Sequence, residues 1–229
     1  MSNKDLTIVF LTVNKLPDKW VAYHKKVLLK AVGDYPIITV SSKPMPDMPG
    51  ENIIQDKPIC ASNVYFQMLR AAKLAKTPYI AIAEDDSLYP YEHFHSFRPP
   101  MDKFAYNMNR WAVLTWGKPT FFWKSRLSNL VLIAPREYAI EALEERFKKY
   151  PNGMPETCCG ELGRYGIERK LKLTQRGATS FETKTPVINL NHIYSIDPYE
   201  QKKVKKMWST RCFDLPHWGS AESVVSKFI

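Results

Sequence analysis

Cysteine, long apolar runs and repeats are all scarce in this chain, and each scarcity excludes a class of protein. Only four cysteines occur among 229 residues, none in a C-x-x-C spacing. Cys158 and Cys159 are adjacent, which disfavours a bond between them, and Cys60 and Cys212 stand alone. The pattern argues against a disulfide framework and against a cysteine zinc site, and predicts a reduced chain in the cytoplasm. The longest apolar runs, Ile8–Val13 and Leu130–Ala134, fall far short of the ~20 residues that span a bilayer. The first residues, Met1-Ser-Asn-Lys-Asp, lack the charged-then-apolar build of a signal peptide. No internal repeat and no low-complexity tract interrupts the chain.

What the chain does have is a globular composition, 45% hydrophobic and 24% charged, and a net charge of +10 from 33 basic and 23 acidic side chains. Such an excess attracts polyanions: nucleic acid, an anionic membrane face or phosphorylated small molecules. Between Arg164 and Arg211 there are eleven basic and four acidic residues, so most of the excess is C-terminal.

Leu6–Val13 reads as a strand buried on both faces, followed by a helix from Asp18 to about Ala31. Pro36–Ser41 reads as a second buried strand, and a Pro-rich loop with Pro44, Pro46, Pro49 and Gly50 follows. A helix from Asn63 to Ala75 ends at Thr77-Pro78, and Tyr79–Ala83 makes a third buried strand. Strands that are apolar throughout and alternate with helices predict an α/β fold, a mostly parallel sheet flanked by helices in a single domain. Further on, Ala112–Thr115 and Asn129–Ala134 read as strands, Pro135 opens a helix to Lys149, and Pro186–Leu190 is the last strand.

The third strand runs into Glu84-Asp85-Asp86. In open α/β sheets ligands bind beyond the carboxyl ends of the strands, so three carboxylates stand at the ligand edge. Their mutual repulsion is relieved by a hard divalent ion, Mg²⁺ or Mn²⁺, which takes one or two carboxylates plus phosphate oxygens; an exposed acidic turn is the plain alternative. His192, after the last apolar strand, would be a third ligand if it meets the triplet, and otherwise a packed side chain. Trp116, Phe122 and Trp123 would stack on a sugar or base, or simply fill a core. Lys202, Lys203, Lys205 and Lys206, with Trp208 and Arg211, fit either a solvated helix face or a nucleic-acid backbone with a stacked base.

The order strand, Asn63-bearing helix, strand, acidic triplet and late histidine resembles the GT-A fold of nucleotide-sugar glycosyltransferases of the family 2 kind. Ile80-Ala-Ile-Ala-Glu84-Asp85-Asp86 is similar to their Asp-x-Asp motif after a buried strand, with Glu84 in place of the first acid. The resemblance spans residues 6–195 and implies a Rossmann-like sheet, with residues 1–100 binding the nucleotide sugar and 101–229 the acceptor. It implies that Asp86 and His192 bind the metal, and that Glu84 or Asp85 holds the ribose or a metal-bound water. Thr12 and Asn14 would face the base, and Asn63 would belong to the same donor site. The donor would be a nucleotide sugar, a UDP-sugar first among them, moved as a hexosyl or pentosyl group. The base that activates the acceptor would be Glu156 or Glu161, since the paired Glu-Asp of inverting members is absent; capping and solvated-face roles are their alternatives.

Small size, basic charge and the lack of a leader point to a hydroxymethylated pyrimidine in double-stranded DNA as the acceptor. Bacteriophage enzymes of that kind work in the host cytoplasm, and Lys202, Lys203, Lys205, Lys206, Trp208 and Arg211 would then meet the DNA. A cell-surface polysaccharide or lipid acceptor, and a non-enzymatic nucleic-acid-binding module, are the rival readings. A metal nuclease is disfavoured because no lysine follows closely after the acids.

Overall fold

A computed structural model describes residues 4–124, 126–155, 160–194 and 210–229. The chain opens with β1 (Leu6–Leu11), α1 (Asp18–Val32), β2 (Ile37–Ser41) and β3 (Glu51–Ile54). It continues through α2 (Ala61–Leu74), β4 (Tyr79–Glu84), β5 (Ser87–Leu88) and α3 (Tyr91–His95). Then come β6 (Lys103–Asn107), β7 (Arg110–Leu114), β8 (Phe121–Trp123), a 3₁₀ turn at Asn129–Val131 and β9 (Leu132–Pro135). The last long helix is α4 (Arg136–Lys149), followed by α5 (Tyr165–Lys170), β10 (Gly177–Phe181), β11 (Val187–Asn191) and β12 (Arg211–Cys212). A short ribbon and a five-residue helix, Ala221–Val225, complete the described chain.

Seven strands form one sheet in the order β10-β6-β9-β4-β1-β2-β3. All neighbours are parallel except at β9, which runs against β4 and β6. The central strands are apolar on both sides, and Leu6, Ile8, Val9, Ile80, Ala81, Ile82 and Ala83 have no accessible surface. A strand with no polar face must be covered on both. The crossover through α1 leads from β1 outward to β2, while that through α2 returns past β1 to β4. Right-handed crossovers in opposite directions place the two helices on opposite faces. α3 packs with α1, and α4 with α2.

β3 is absent from the sequence reading, because Glu51–Ile54 is a four-residue edge strand with little burial. Gly50 admits it: its φ is +86°, and a Cβ there would lie 2.1 Å from the Ile37 carbonyl oxygen. The 3₁₀ turn takes the first part of the expected Asn129–Ala134 strand, and Pro135 ends β9 one residue before α4.

The expected strands Ala112–Thr115 and Pro186–Leu190 are β7 and β11, but they belong to a second sheet, order β12-β8-β7-β11-β5, whose other strands gave no signal. Only β7 and β11 run parallel in it. Its strands alternate. Val113, Phe121, Ile188 and Leu190 pack with Trp20 and Phe228 on one face, whereas Ala112, Leu114, Phe122 and Trp116 form a smaller cluster on the other. β5 directly follows the acidic triplet, so this sheet joins the larger one at the site.

Candidate functional site

β1 has β2 on one side and β4 on the other, so the chain changes direction across the sheet between β1 and β4. A crevice opens at that point beyond the carboxyl ends of the strands. Thr12, just past β1, and Asp85, just past β4, meet across it: the Thr12 hydroxyl donates to Asp85 Oδ2 at 2.5 Å.

The acidic turn is held by every element around it. The Trp20 indole N–H of α1 donates to the Asp85 carbonyl at 2.7 Å. The Glu84 N–H donates to the Tyr89 hydroxyl at 2.9 Å, which itself donates to the Leu130 carbonyl at 3.0 Å. The Leu190 N–H donates to the Asp86 carbonyl at 2.8 Å and ties the turn to β11. The Ser87 hydroxyl donates to Asp86 Oδ1 at 2.8 Å, and His192 Nε2 lies 3.5 Å from Asp86 Oδ2.

The three carboxyls differ in charge. Burial first, then repulsion by Asp86 and Asp85, pushes Glu84 up to about 8, with Arg110 opposing. Burial and then Asp86 push Asp85 up to about 7, against the Thr12 hydrogen bond. Burial also acts upward on Asp86, but hydrogen bonds from His192 and the Ser87 hydroxyl outweigh it and hold Asp86 below the usual carboxylate range. Asp86 is therefore the most readily ionised of the three.

A cavity of about 280 Å³ lies over the turn, lined by Thr12, Asn63, Glu84, Asp85, Asp86 and His192 among others. Asn63 is part of a carboxamide chain. Its Nδ2 donates to Gln55 Oε1 at 2.7 Å, and Gln67 Nε2 donates to its Oδ1 at 2.8 Å. Gln67 also lines the cavity and was missed from sequence, although its i, i+4 spacing from Asn63 puts both on one helix face.

Other expected residues lie elsewhere. Asn14, in the left-handed region at φ 53°, uses Oδ1 to accept the Ser42 and Lys43 N–H groups at 2.9 and 3.0 Å. It pins two loops together and lines a neighbouring cavity of about 220 Å³ instead of the one over Asp86. Glu161 sits after the described break, its Oε2 accepting from Arg164 Nη1 at 2.9 Å. Arg211 is on β12, separated from β5 by three strands, and lines a third cavity. Glu156, Lys202, Lys203, Lys205, Lys206 and Trp208 lie outside the described residues. Phe121 and Phe122 are core, Trp111 packs half-buried against it, Trp123 is half-buried on β8, and Trp116 borders the third cavity.

Among the described residues no group of three or more His, Cys, Asp or Glu converges as a metal site. The Asp86–His192 pair nevertheless suits a hard ion. Two ligands at right angles around an ion with ~2.1 Å bonds stand roughly 3 Å apart, close to the 3.5 Å here. Mg²⁺ commonly takes one or two protein carboxylates and completes its shell with substrate phosphates and water. His192 Nδ1 accepts the Tyr194 N–H at 3.2 Å, which places the proton of the neutral ring on Nε2. Ligation through Nε2 needs that contact released.

The mostly parallel, helix-flanked sheet with an acidic turn after β4 is a GT-A-like fold. No protein-family model and no curated protein matches the chain. Among solved structures, the inositol-1-phosphate CTP transferase of T. maritima is similar over 90% of this chain and 97% of that one, at 9% identity and a TM-score of 0.51. A glycosyltransferase involved in glycosylating the major capsid of PBCV-1 is similar over 89% and 99%, at 12% identity and 0.47. The mannosyltransferase PcManGT of Pyrobaculum calidifontis, solved with GDP-Man and Mn²⁺, is similar over 88% of this chain and 60% of its own, at 12% identity and 0.44. At such identities the likeness is one of fold. No described helix is long and apolar enough to cross a membrane.

Proposed function

We propose that the chain is a metal-dependent glycosyltransferase that moves a sugar from a nucleotide sugar to an acceptor hydroxyl. The observation that carries this reading is the Asp86–His192 pair, 3.5 Å apart on the wall of a cavity at the direction change of the sheet. A divalent ion held there supplies neutralisation of the diphosphate charge, without which a nucleoside diphosphate is a poor leaving group. Thr12, Asn63 and Gln67 line the part of the cavity next to β1 and α2, where the nucleoside would lie. In the transfer, the acceptor oxygen bonds to the anomeric carbon as the bond from that carbon to the diphosphate oxygen breaks. The electron pair leaves on the nucleoside diphosphate. The acceptor proton passes to a carboxylate, for which Glu161 and Glu156 are the candidates.

The +10 net charge fits an anionic acceptor. The residues that suggested a DNA base in particular, Lys202 to Trp208, lie outside the described chain. A thermal-shift screen of UDP-, GDP- and CMP-sugars with and without Mn²⁺ tests the donor reading. Stabilisation that needs both sugar nucleotide and Mn²⁺ is expected, since a ligand of the native state raises its stability. The absence of any metal-dependent shift would overturn it.

A further inference from the structure

The smaller sheet carries a feature that the donor site does not use. Its alternation places Ala112, Leu114 and Phe122 on the face that also holds Trp116. Register extends the same face toward the acidic turn: Ala112 pairs with Asn189, Leu114 with Asn191, and Asn189 with Ser87. Asn189 Nδ2 donates to the Ser87 hydroxyl at 3.4 Å, and Ser87 bonds Asp86. The Thr115 N–H continues the ladder to the Asn191 carbonyl at 3.0 Å, one residue before His192. A strip therefore runs from Asp86 across β5, β11 and β7, roughly 10 Å at the usual ~4.8 Å strand spacing.

At its far end is a cavity of about 480 Å³ whose walls include Leu114, Trp116, Lys118, Arg211 and Phe213. This volume is within the ~300–1,000 Å³ typical of small-molecule sites. Phe213 is 56% exposed, and Lys118 Nζ stands 5.1 Å from its ring centroid. Aromatic walls offer flat apolar faces to the C–H side of a sugar ring, and Lys118 offers a charge-assisted bond to an anion. A half-open pocket of this size suits one or two rings better than a strand of nucleic acid, which needs an extended basic groove.

We infer that this cavity is the acceptor subsite and takes a saccharide ring bearing a phosphate or carboxylate. The inference rests on the transferase reading. Saturation-transfer NMR on the full chain tests it, with glucose 6-phosphate, glucuronate, glucose and inorganic phosphate as probes. At least one anionic sugar is expected to bind roughly tenfold more tightly than glucose, and which one does so distinguishes phosphate from carboxylate. Phe213→Ala and Lys118→Gln, both at exposed positions, should each weaken it by about tenfold with an unchanged melting profile. Equal binding of glucose and both anionic sugars, binding of phosphate as tight as of the sugar phosphate, or no effect of either substitution would overturn the inference. So would displacement of the sugar by a single-stranded oligonucleotide, or no binding of any probe. Mn²⁺-dependent stabilisation by nucleotide sugars is read on the same wild-type sample. Its loss would remove the transferase reading while sugar binding at Phe213 still stood as its own result.

Discussion

In the seven-stranded sheet, β1 and β4 bury nearly every side chain on both faces, and the chemistry is confined to their carboxyl ends. In the five-stranded sheet, β7 alternates, and its inner positions include a charge: Arg110 is 2% exposed, its Nη2 donating to the Arg126 carbonyl at 3.2 Å and its Nε without a partner. Burial, then repulsion by Arg126, lowers its pKa to about 10 despite Glu84, Glu161 and Asp86 nearby. The larger sheet is a frame whose stability is hydrophobic. The smaller one also packs apolar clusters, but it mixes Arg110, Ser87 and Asn189 into its buried positions, a pattern characteristic of functional regions.

The sharpest test of that contrast is to damage the chemistry and the frame separately. Asp86→Asn should cut transfer by roughly a thousandfold, about 4 kcal/mol of barrier, with little change in melting temperature. Assay of sugar transfer beside calorimetry checks it, and full activity would remove the metal role. Ile82→Ala, two residues before Glu84 on β4, should do the reverse. Deleting a fully buried side chain there should cost about 3 kcal/mol, read by urea unfolding, because the flanking strands cannot close the cavity.

If His192 is a ligand, His192→Ala should raise the Mn²⁺ concentration needed for half-maximal activity at least roughly tenfold. An unchanged requirement returns it to a packing role against Phe228, whose ring centroid is 5.3 Å away.

The frame also has a pH sensitivity of its own. His93 is fully buried on α3, with Nδ1 3.2 Å from Asn107 Nδ2, and burial lowers its pKa from 6.5 to about 3. The folded chain keeps it neutral, whereas the unfolded chain takes up a proton below 6.5, so its contribution is present above pH 6.5 and is lost as pH falls toward 3. By pH 5 the loss is roughly 2 kcal/mol. Urea midpoints at pH 7 and 5 should show it, and His93→Gln should reduce the difference. The smallest expected effect is at the periphery of the second sheet. Ser220 caps the last helix by accepting the Ser223 N–H at 3.0 Å, and Ser220→Ala should cost about 1 kcal/mol in the same unfolding assay.

The readable parts of the sequence were those where one local signal suffices. Leu6–Leu11 and Tyr79–Glu84 announce themselves because a strand buried on both faces needs no partner to look apolar. The helix expected from Asp18 to about Ala31 is α1, although Pro17 holds the N-cap position, Asp18 is its first residue and no side chain caps it. Glu84-Asp85-Asp86 stood out as charges at the end of such a strand. β5, β8 and β12 did not, since two- and three-residue strands carry too few side chains to show a period. Asn14 looked like a ligand-edge residue by position, yet the Ser42 and Lys43 amides claim its side chain, and those amides reach it only once β1 and β2 are paired.

Composition and periodicity thus determined on their own that the chain forms an α/β sheet with carboxylates at its ligand edge. Both depend on short-range patterns of burial and charge. Which carboxylate ionises most readily, that His192 stands beside Asp86 across 106 positions of chain, and that Trp116 and Phe213 share a cavity were decided only by tertiary structure. Each depends on distances between side chains from separate strands, and on burial that neither segment has alone.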